Sequence, residues 1–233
     1  MAPYIWIIAG EPSADIYGAR LVRELQNKAP DVRLAGMGSD NMRQQGVDLL
    51  VNASELGITG FTEVLRHYPS IRRAFYCLLH HLHTDPPDCV VLMDYPGFNL
   101  RLAEKIHRQN VKIVYYISPQ VWAWGRRRIK QIARLVSKML VIFPFEADIF
   151  ERAGVPVEFV GHPLLEILRE GTYDAPQVRQ HDTVLLLPGS RKNEIQHILP
   201  GMLRTAEWLK ARNINMSFVI PVHSDALRNV IEN

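Results

Sequence analysis

Cys89-Val90-Val91-Leu92-Met93-Asp94-Tyr95-Pro96-Gly97-Phe98-Asn99 is the stretch on which the fold turns. Five apolar residues read as a buried strand, and the run breaks on a carboxylate. In open parallel α/β sheets ligands bind in the crevice outside the carboxyl ends of the strands, where a short acidic residue has little structural reason to stand. The next apolar and aromatic run, residues 112–117, repeats the pattern. It leads into Ser118-Pro119-Gln120-Val121-Trp122-Ala123-Trp124, a turn with two indoles. Two adjacent strand ends are therefore expected to furnish one site.

Working outward, short β-rich runs alternate with longer helical patterns. Residues 4–9, 32–36, 48–51, 89–93, 112–117, 139–143, 157–160, 183–187 and 216–220 read as strands. The clearest amphipathic helices fall at 14–27, 61–83, 100–109, 126–137, 145–153 and 202–212, with apolar residues three or four apart. This alternation predicts an α/β protein whose parallel, doubly wound, Rossmann-like sheet is covered on both faces and reached by right-handed crossovers. Periodicity is lost from residue 170 to 176. The expected organisation is a first domain over 1–170, a linker over 171–182 and the start of a second α/β lobe over 183–233. That second lobe has room for only about two strands and two helices, so it reads as incomplete.

A chain of 233 residues with 47% hydrophobic and 22% charged side chains has the composition of a soluble globular protein. Its formal charge of +3 is too small to argue for nucleic acid without a recognisable module. The two cysteines, Cys77 and Cys89, make no disulfide framework, which fits a reducing cytoplasm. The amino terminus lacks a basic n-region, and the apolar run at 4–9 is shorter than a signal-peptide core. Nothing approaches the roughly 18 apolar residues of a membrane span. The expectation is a cytoplasmic protein able to rest on a membrane surface.

Each chemical constellation has a plain structural alternative. Gly10-Glu11-Pro12-Ser13-Ala14-Asp15 ends the first strand; Ser13 suits an N-cap and Asp15 the helix dipole, yet Gly10 and free amides could also hold a polar ligand. Neither this loop nor Gly36-Met37-Gly38 is a dinucleotide fingerprint. Asp94 could cap the following helix, but Asn99 looks better placed to start it. That leaves Asp94 to face the crevice, where a partly dry carboxylate is a better proton acceptor. Of Trp122 and Trp124, spaced i, i+2, one is expected to line the cleft. Arg126, Arg127, Arg128, Lys130, Arg134 and Lys138 form either a solvated face or an attractor for a phosphorylated substrate or anionic lipid. Leu187-Pro188-Gly189-Ser190-Arg191 reads as a phosphate-type loop before a helix beginning near Asn193 or Glu194, though not as a Walker A loop. His80, His81 and His83 close a long helix, where protonated histidine favours the dipole, and no metal is expected.

Taken together, these motifs, with Pro144-Phe145-Glu146 and Val160-Gly161-His162-Pro163-Leu164, resemble the lipid-A-disaccharide synthase family in order and spacing across essentially all 233 residues. The resemblance implies an inverting glycosyltransferase of the two-lobed GT-B type, using no metal or cofactor. It implies that UDP-2,3-diacylglucosamine is joined to 2,3-diacylglucosamine 1-phosphate with release of UDP, an early step of lipid A synthesis at the inner membrane surface. Carried over by position, Asp94 becomes the base on the acceptor 6-hydroxyl. Gly10, Glu11, Ser13, Asp15, Asn99, Ser118, Gln120, Trp122, Trp124 and Arg128 become substrate-binding. Gly189, Ser190 and Arg191 meet the nucleotide phosphates. Residues 1–170 become the acceptor side and 183–233 the opening of the nucleotide-binding domain. Residues 56–65 correspond to a surface-apolar region that meets acyl chains or membrane, or else to a buried helix start. The family has further length that supplies most contacts to the nucleotide; the exposed sheet edge of the half-built second lobe leads to an expectation of self-association, as a homodimer or by strand exchange. Another UDP-sugar transferase, a 2-epimerase, or a non-catalytic lipid- or partner-binding module are the alternative readings.

Overall fold

The computed structural model describes residues 2–56, 68–120, 127–171, 183–190, 192–212, 216–222 and 225–232. The chain forms two compact units, Met1–Glu170 and Gly171–Asn233. The first unit runs β1 (Tyr4–Ala9), α1 (Pro12–Lys28), β2 (Arg33–Gly38), α2 (Asp40–Gln44), β3 (Asp48–Asn52) and, after a short 3-10 turn, α3 (Tyr68–Thr84). It continues through β4 (Cys89–Met93), α4 (Pro96–His107), β5 (Lys112–Tyr116), α5 (Arg127–Leu135), β6 (Lys138–Val141), α6 (Pro144–Glu151), β7 (Val157–Phe159) and α7 (Leu164–Glu170). Its seven strands are all parallel, in the order β3-β2-β1-β4-β5-β6-β7.

Period-two alternation sends the strand residues to two cores. Trp6, Ile8, Val90 and Leu92 meet Leu78 of α3, Leu102 and Ile106 of α4 and Ile132 of α5 on one face. Ile7, Ala9, Val91 and Met93 meet Ala14 and Val22 of α1 and Met42 of α2 on the other. Each buried leucine- or isoleucine-sized side chain contributes about 1.5–3 kcal/mol, which explains why β1 and β4, apolar on both faces, sit centrally. Gly36 lets β2 close on β1: its φ is +144°, and a Cβ there would lie 2.1 Å from the Ile7 carbonyl oxygen. The sheet is thus the expected doubly wound, Rossmann-like one.

The second unit holds β8 (Thr183–Leu185), α8 (Lys192–Lys210), β9 (Ser217–Val219) and α9 (Asp225–Glu232), with β8 and β9 parallel. The helix expected near Asn193 or Glu194 and the one expected at 202–212 are a single helix that runs through Pro200. Helix α4 begins at Pro96, a turn before residue 100, so Asn99 does not start it. The start of the helix expected at 61–83 lies outside the described residues.

What the topology positions is the pair β1 and β4. From β1 the chain builds outward through β2 and β3, then returns to β4 and builds the other way through β5 to β7. The direction reverses between them, and Ala9 is in register with Met93, so their carboxyl ends open together. Such a switch point is where doubly wound sheets place a ligand.

Candidate functional site

Asp94 stands at that point, half-buried, one residue beyond β4. Its backbone is left-handed, with φ 45°, and so is that of Tyr95, with φ 41° and ψ 57°. Two consecutive non-glycine residues in this region cost on the order of 1–3 kcal/mol each, strain that clusters at functional sites. At the end of the next strand Ile117 has φ 64°, a rarer outlier still for a β-branched side chain. Both strand ends singled out by the sequence therefore carry strained backbone.

Beneath the turn lies a buried polar layer. Asn99 donates from Nδ2 to the carbonyls of Met93 at 3.0 Å and Asp94 at 2.8 Å. The Tyr115 hydroxyl donates to the Asp94 carbonyl at 2.6 Å. Burial, with a smaller push from the Asp94 charge, raises the Tyr115 phenol far above its ordinary value, while the Arg128 charge acts in the opposite sense. Arg128 is exposed on α5. Tyr95 stacks on Phe98 at 5.7 Å, and burial followed by the Glu11 charge raises its phenol.

Several expected ligand contacts are occupied by the protein itself. Gly10 does provide close approach, but to a side chain: a Cβ there would meet Tyr95 Cδ1 at 2.8 Å. The N-cap of α1 is Glu11, not Ser13, which is exposed in the first turn. Asp15 is buried, and its carboxylate accepts from the amides of Ser39, Asn41 and Met42 and from Asn41 Nδ2. It holds the β2–α2 turn. Asn99 is equally buried and serves the carbonyls above, with no hydrogen bond to its Oδ1 among the described residues. Ser118 is buried too; its hydroxyl donates to Glu146 Oε1 at 2.6 Å, while Glu146 Oε2 accepts from the Phe143 amide to cap α6. Gln120 is exposed, and Trp122 and Trp124 lie outside the described residues. So does most of the segment 56–65, whose first residue, Leu56, is buried.

In the second unit, Leu187, Pro188, Gly189, Ser190, Pro221 and Val222 line a hollow of about 430 Å³ beyond the ends of β8 and β9. Gly189 has φ 117°, and the Ser190 amide donates to Glu194 Oε2 at 3.1 Å. A carboxylate of the chain itself thus takes the amide of this loop. Arg191 lies outside the described residues. Among those described, no three metal-ligating side chains converge.

Tyr95 and Glu146 carry no signal beyond the motifs that contain them, and Tyr115 none beyond the parity it shares along its strand with buried Ile113.

A doubly wound parallel sheet with a strained site at its switch point, followed by a second α/β unit, defines a lobe of the GT-B kind. Solved structures agree at the level of fold. The UDP-GlcNAc 2-epimerase of Neisseria meningitidis bound to UDP-GlcNAc superposes with TM-score 0.66 at 14% identity, over 98% of this chain and 68% of that one. MurG of Acinetobacter baumannii gives 0.51 at 11%, over 98% and 68%. The chain belongs to the lipid-A-disaccharide synthetase family, whose sequence profile matches residues 5–233. It is 46% identical over 226 residues to the lipid-A-disaccharide synthase of Geobacter sulfurreducens, covering 94% of this chain and 59% of that one. Against the lipid-A-disaccharide synthase of Coxiella burnetii it is 39% identical over 228 residues, covering 94% and 60%. The chain therefore spans about three fifths of the length of these relatives.

Proposed function

We propose that the chain is the acceptor-side lobe and the opening of the nucleotide lobe of a glycosyltransferase that makes lipid A disaccharide 1-phosphate. The donor is UDP-2,3-diacylglucosamine and the acceptor 2,3-diacylglucosamine 1-phosphate. What carries the reading is a half-buried carboxylate, Asp94, beyond β4 at the switch point of a chain that belongs to this family. Asp94 takes the proton of the acceptor 6-hydroxyl. The oxygen attacks the anomeric carbon opposite the diphosphate, whose C–O bond breaks with its electron pair going to UDP, so the configuration inverts.

Gly10, Glu11, Ser13, Gln120, Trp122, Trp124 and Arg128 form the acceptor surroundings in this proposal, and Gly189, Ser190 and Arg191 face the diphosphate. For an anion to reach the Ser190 amide, Glu194 must give way. The reaction takes place at the inner membrane surface; no helix among the described residues is long and apolar enough to cross a membrane.

The test is Asp94→Asn in a polypeptide carrying the full family length. Turnover falls at least about 100-fold while the thermal midpoint stays within a few degrees, because a general base acts only in the transition state. An unchanged turnover number refutes the base, and the absence of turnover in the parent favours a binding module. Transfer to an unacylated sugar acceptor would point to another UDP-sugar enzyme.

A further inference from the structure

Each carbonyl oxygen at the end of β4 lies in a rigid peptide plane, and the two planes that flank the Asp94 Cα carry the carbonyls of Met93 and Asp94. Asn99 Nδ2 donates to both, at 3.0 and 2.8 Å, and so spans the two planes. Tyr115 adds a third hydrogen bond, 2.6 Å, to the second of them. Fixing the two planes relative to one another fixes φ and ψ of Asp94 together. With both set, the direction of its Cα–Cβ bond is set.

We propose that Tyr115 and Asn99 are positioning residues: from below the sheet end they hold the left-handed Asp94–Tyr95 turn and so aim the Asp94 carboxylate, without touching the reacting atoms. Both donors are wholly buried, and Tyr115 reaches across from the adjacent strand, where it pairs with Leu92. Phenylalanine at 115 or leucine at 99 would fill similar space, so packing does not account for the polar atoms. Asn99 even leaves its own Oδ1 without a hydrogen bond among the described residues, which an apolar side chain would avoid. The two hydrogen-bonded planes flank Asp94, the first residue of the one non-glycine pair of adjacent left-handed residues among those described.

The proposal rests on the reading of Asp94 as the base, and two measurements separate them. The first uses this chain and needs no activity: the sign and size of φ at Asp94 and Tyr95 from amide–Hα couplings by NMR together with the intraresidue amide–Hα NOE, which is strong only at positive φ, in the parent and in Tyr115→Phe. Tyr115→Phe keeps the fold, and Asp94 acquires a second population with negative φ. A single conformer with φ still positive overturns the proposal, whatever Asp94 does. The second uses the full-length polypeptide with UDP-2,3-diacylglucosamine and 2,3-diacylglucosamine 1-phosphate. Tyr115→Phe lowers kcat roughly 3- to 10-fold, the size of one hydrogen bond, with KM within about twofold. Added to Asp94→Asn, it lowers kcat no further. Losses that multiply in the double variant show that Tyr115 acts by another route and overturn the proposal. If Asp94→Asn alone leaves kcat intact, the base reading falls, and the NMR result alone decides whether the turn is held as proposed.

Discussion

The carboxylate of Asp15 accepts four hydrogen bonds from the turn between β2 and α2, the shortest being 2.6 Å from the Ser39 amide. Removing it strands three backbone donors, so Asp15→Ala is expected to lower stability by about 3–5 kcal/mol in urea denaturation. Ligand affinity of the folded fraction should change less than about twofold. A large loss of affinity at unchanged stability would restore Asp15 to the binding surface. At this scale the sequence revealed one kind of residue and concealed another. The place of Asp94 at the end of β4 could be read because a charge interrupting an apolar run is local information. The duties of Asp15, Asn99 and Ser118 could not, since their partners are fixed by the fold: Ser39 to Met42 across a strand for Asp15, Glu146 for Ser118, and for Asn99 two nearby carbonyls brought round by a left-handed turn. Burial then decides the role, because a wholly buried polar side chain is engaged with the protein before any ligand arrives.

Helix α7 has no buried residue and is tied to α1 by charge: Arg20 meets Glu170 at 2.7 Å and Arg23 meets it at 3.6 Å. The hydrogen bond from Arg20 is the main reason the Glu170 carboxyl lies below its ordinary value. A depressed carboxyl stabilises the fold above the unfolded value of about 4.3, and the contribution is lost as pH falls through the lower folded value. The pair is exposed, so salt screens the effect and it stays small. Arg20→Ala should move the Glu170 titration, followed by carboxyl carbon NMR, up toward the ordinary value, and quicken amide exchange in α7 at neutral pH. A titration that does not move would mean that the ion pair is absent in solution. Short elements such as α2 and α7 escaped a reading by periodicity, because five to seven residues barely complete two turns. In α8 a proline conceals continuity: Pro200 lacks the donor that a helix interior uses, yet Ile195, Leu199 and Ala206 keep one buried face on both sides of it.

For the whole molecule the decisive quantity is the three fifths of family length that the chain spans. Micromolar binding of UDP needs about 8 kcal/mol, whereas a helix dipole supplies about 0.3–2 and one arginine about 1.5–3. Calorimetry should therefore find weak or no binding of UDP to this chain and strong binding to a polypeptide extended to full family length. Equal affinity for both would place the nucleotide contacts within the second unit as it stands. The nine strands among the described residues were legible to within a residue or two at each end, because alternating strand and helix periods survive without tertiary context. Strand order was not, since neighbours in a parallel sheet are chosen by crossovers that leave no local mark. That order has a consequence for how the protein is made. The Tyr4 amide bonds to Asp88, 84 residues away, and the central strand β1 gains its β4 neighbour only there. On a ribosome the first strand emerges long before that partner, leaving one flank of a very apolar ribbon unpaired during translation. Late closure of the sheet, with that flank open to wrong association in the meantime, is thus the expectation the topology sets.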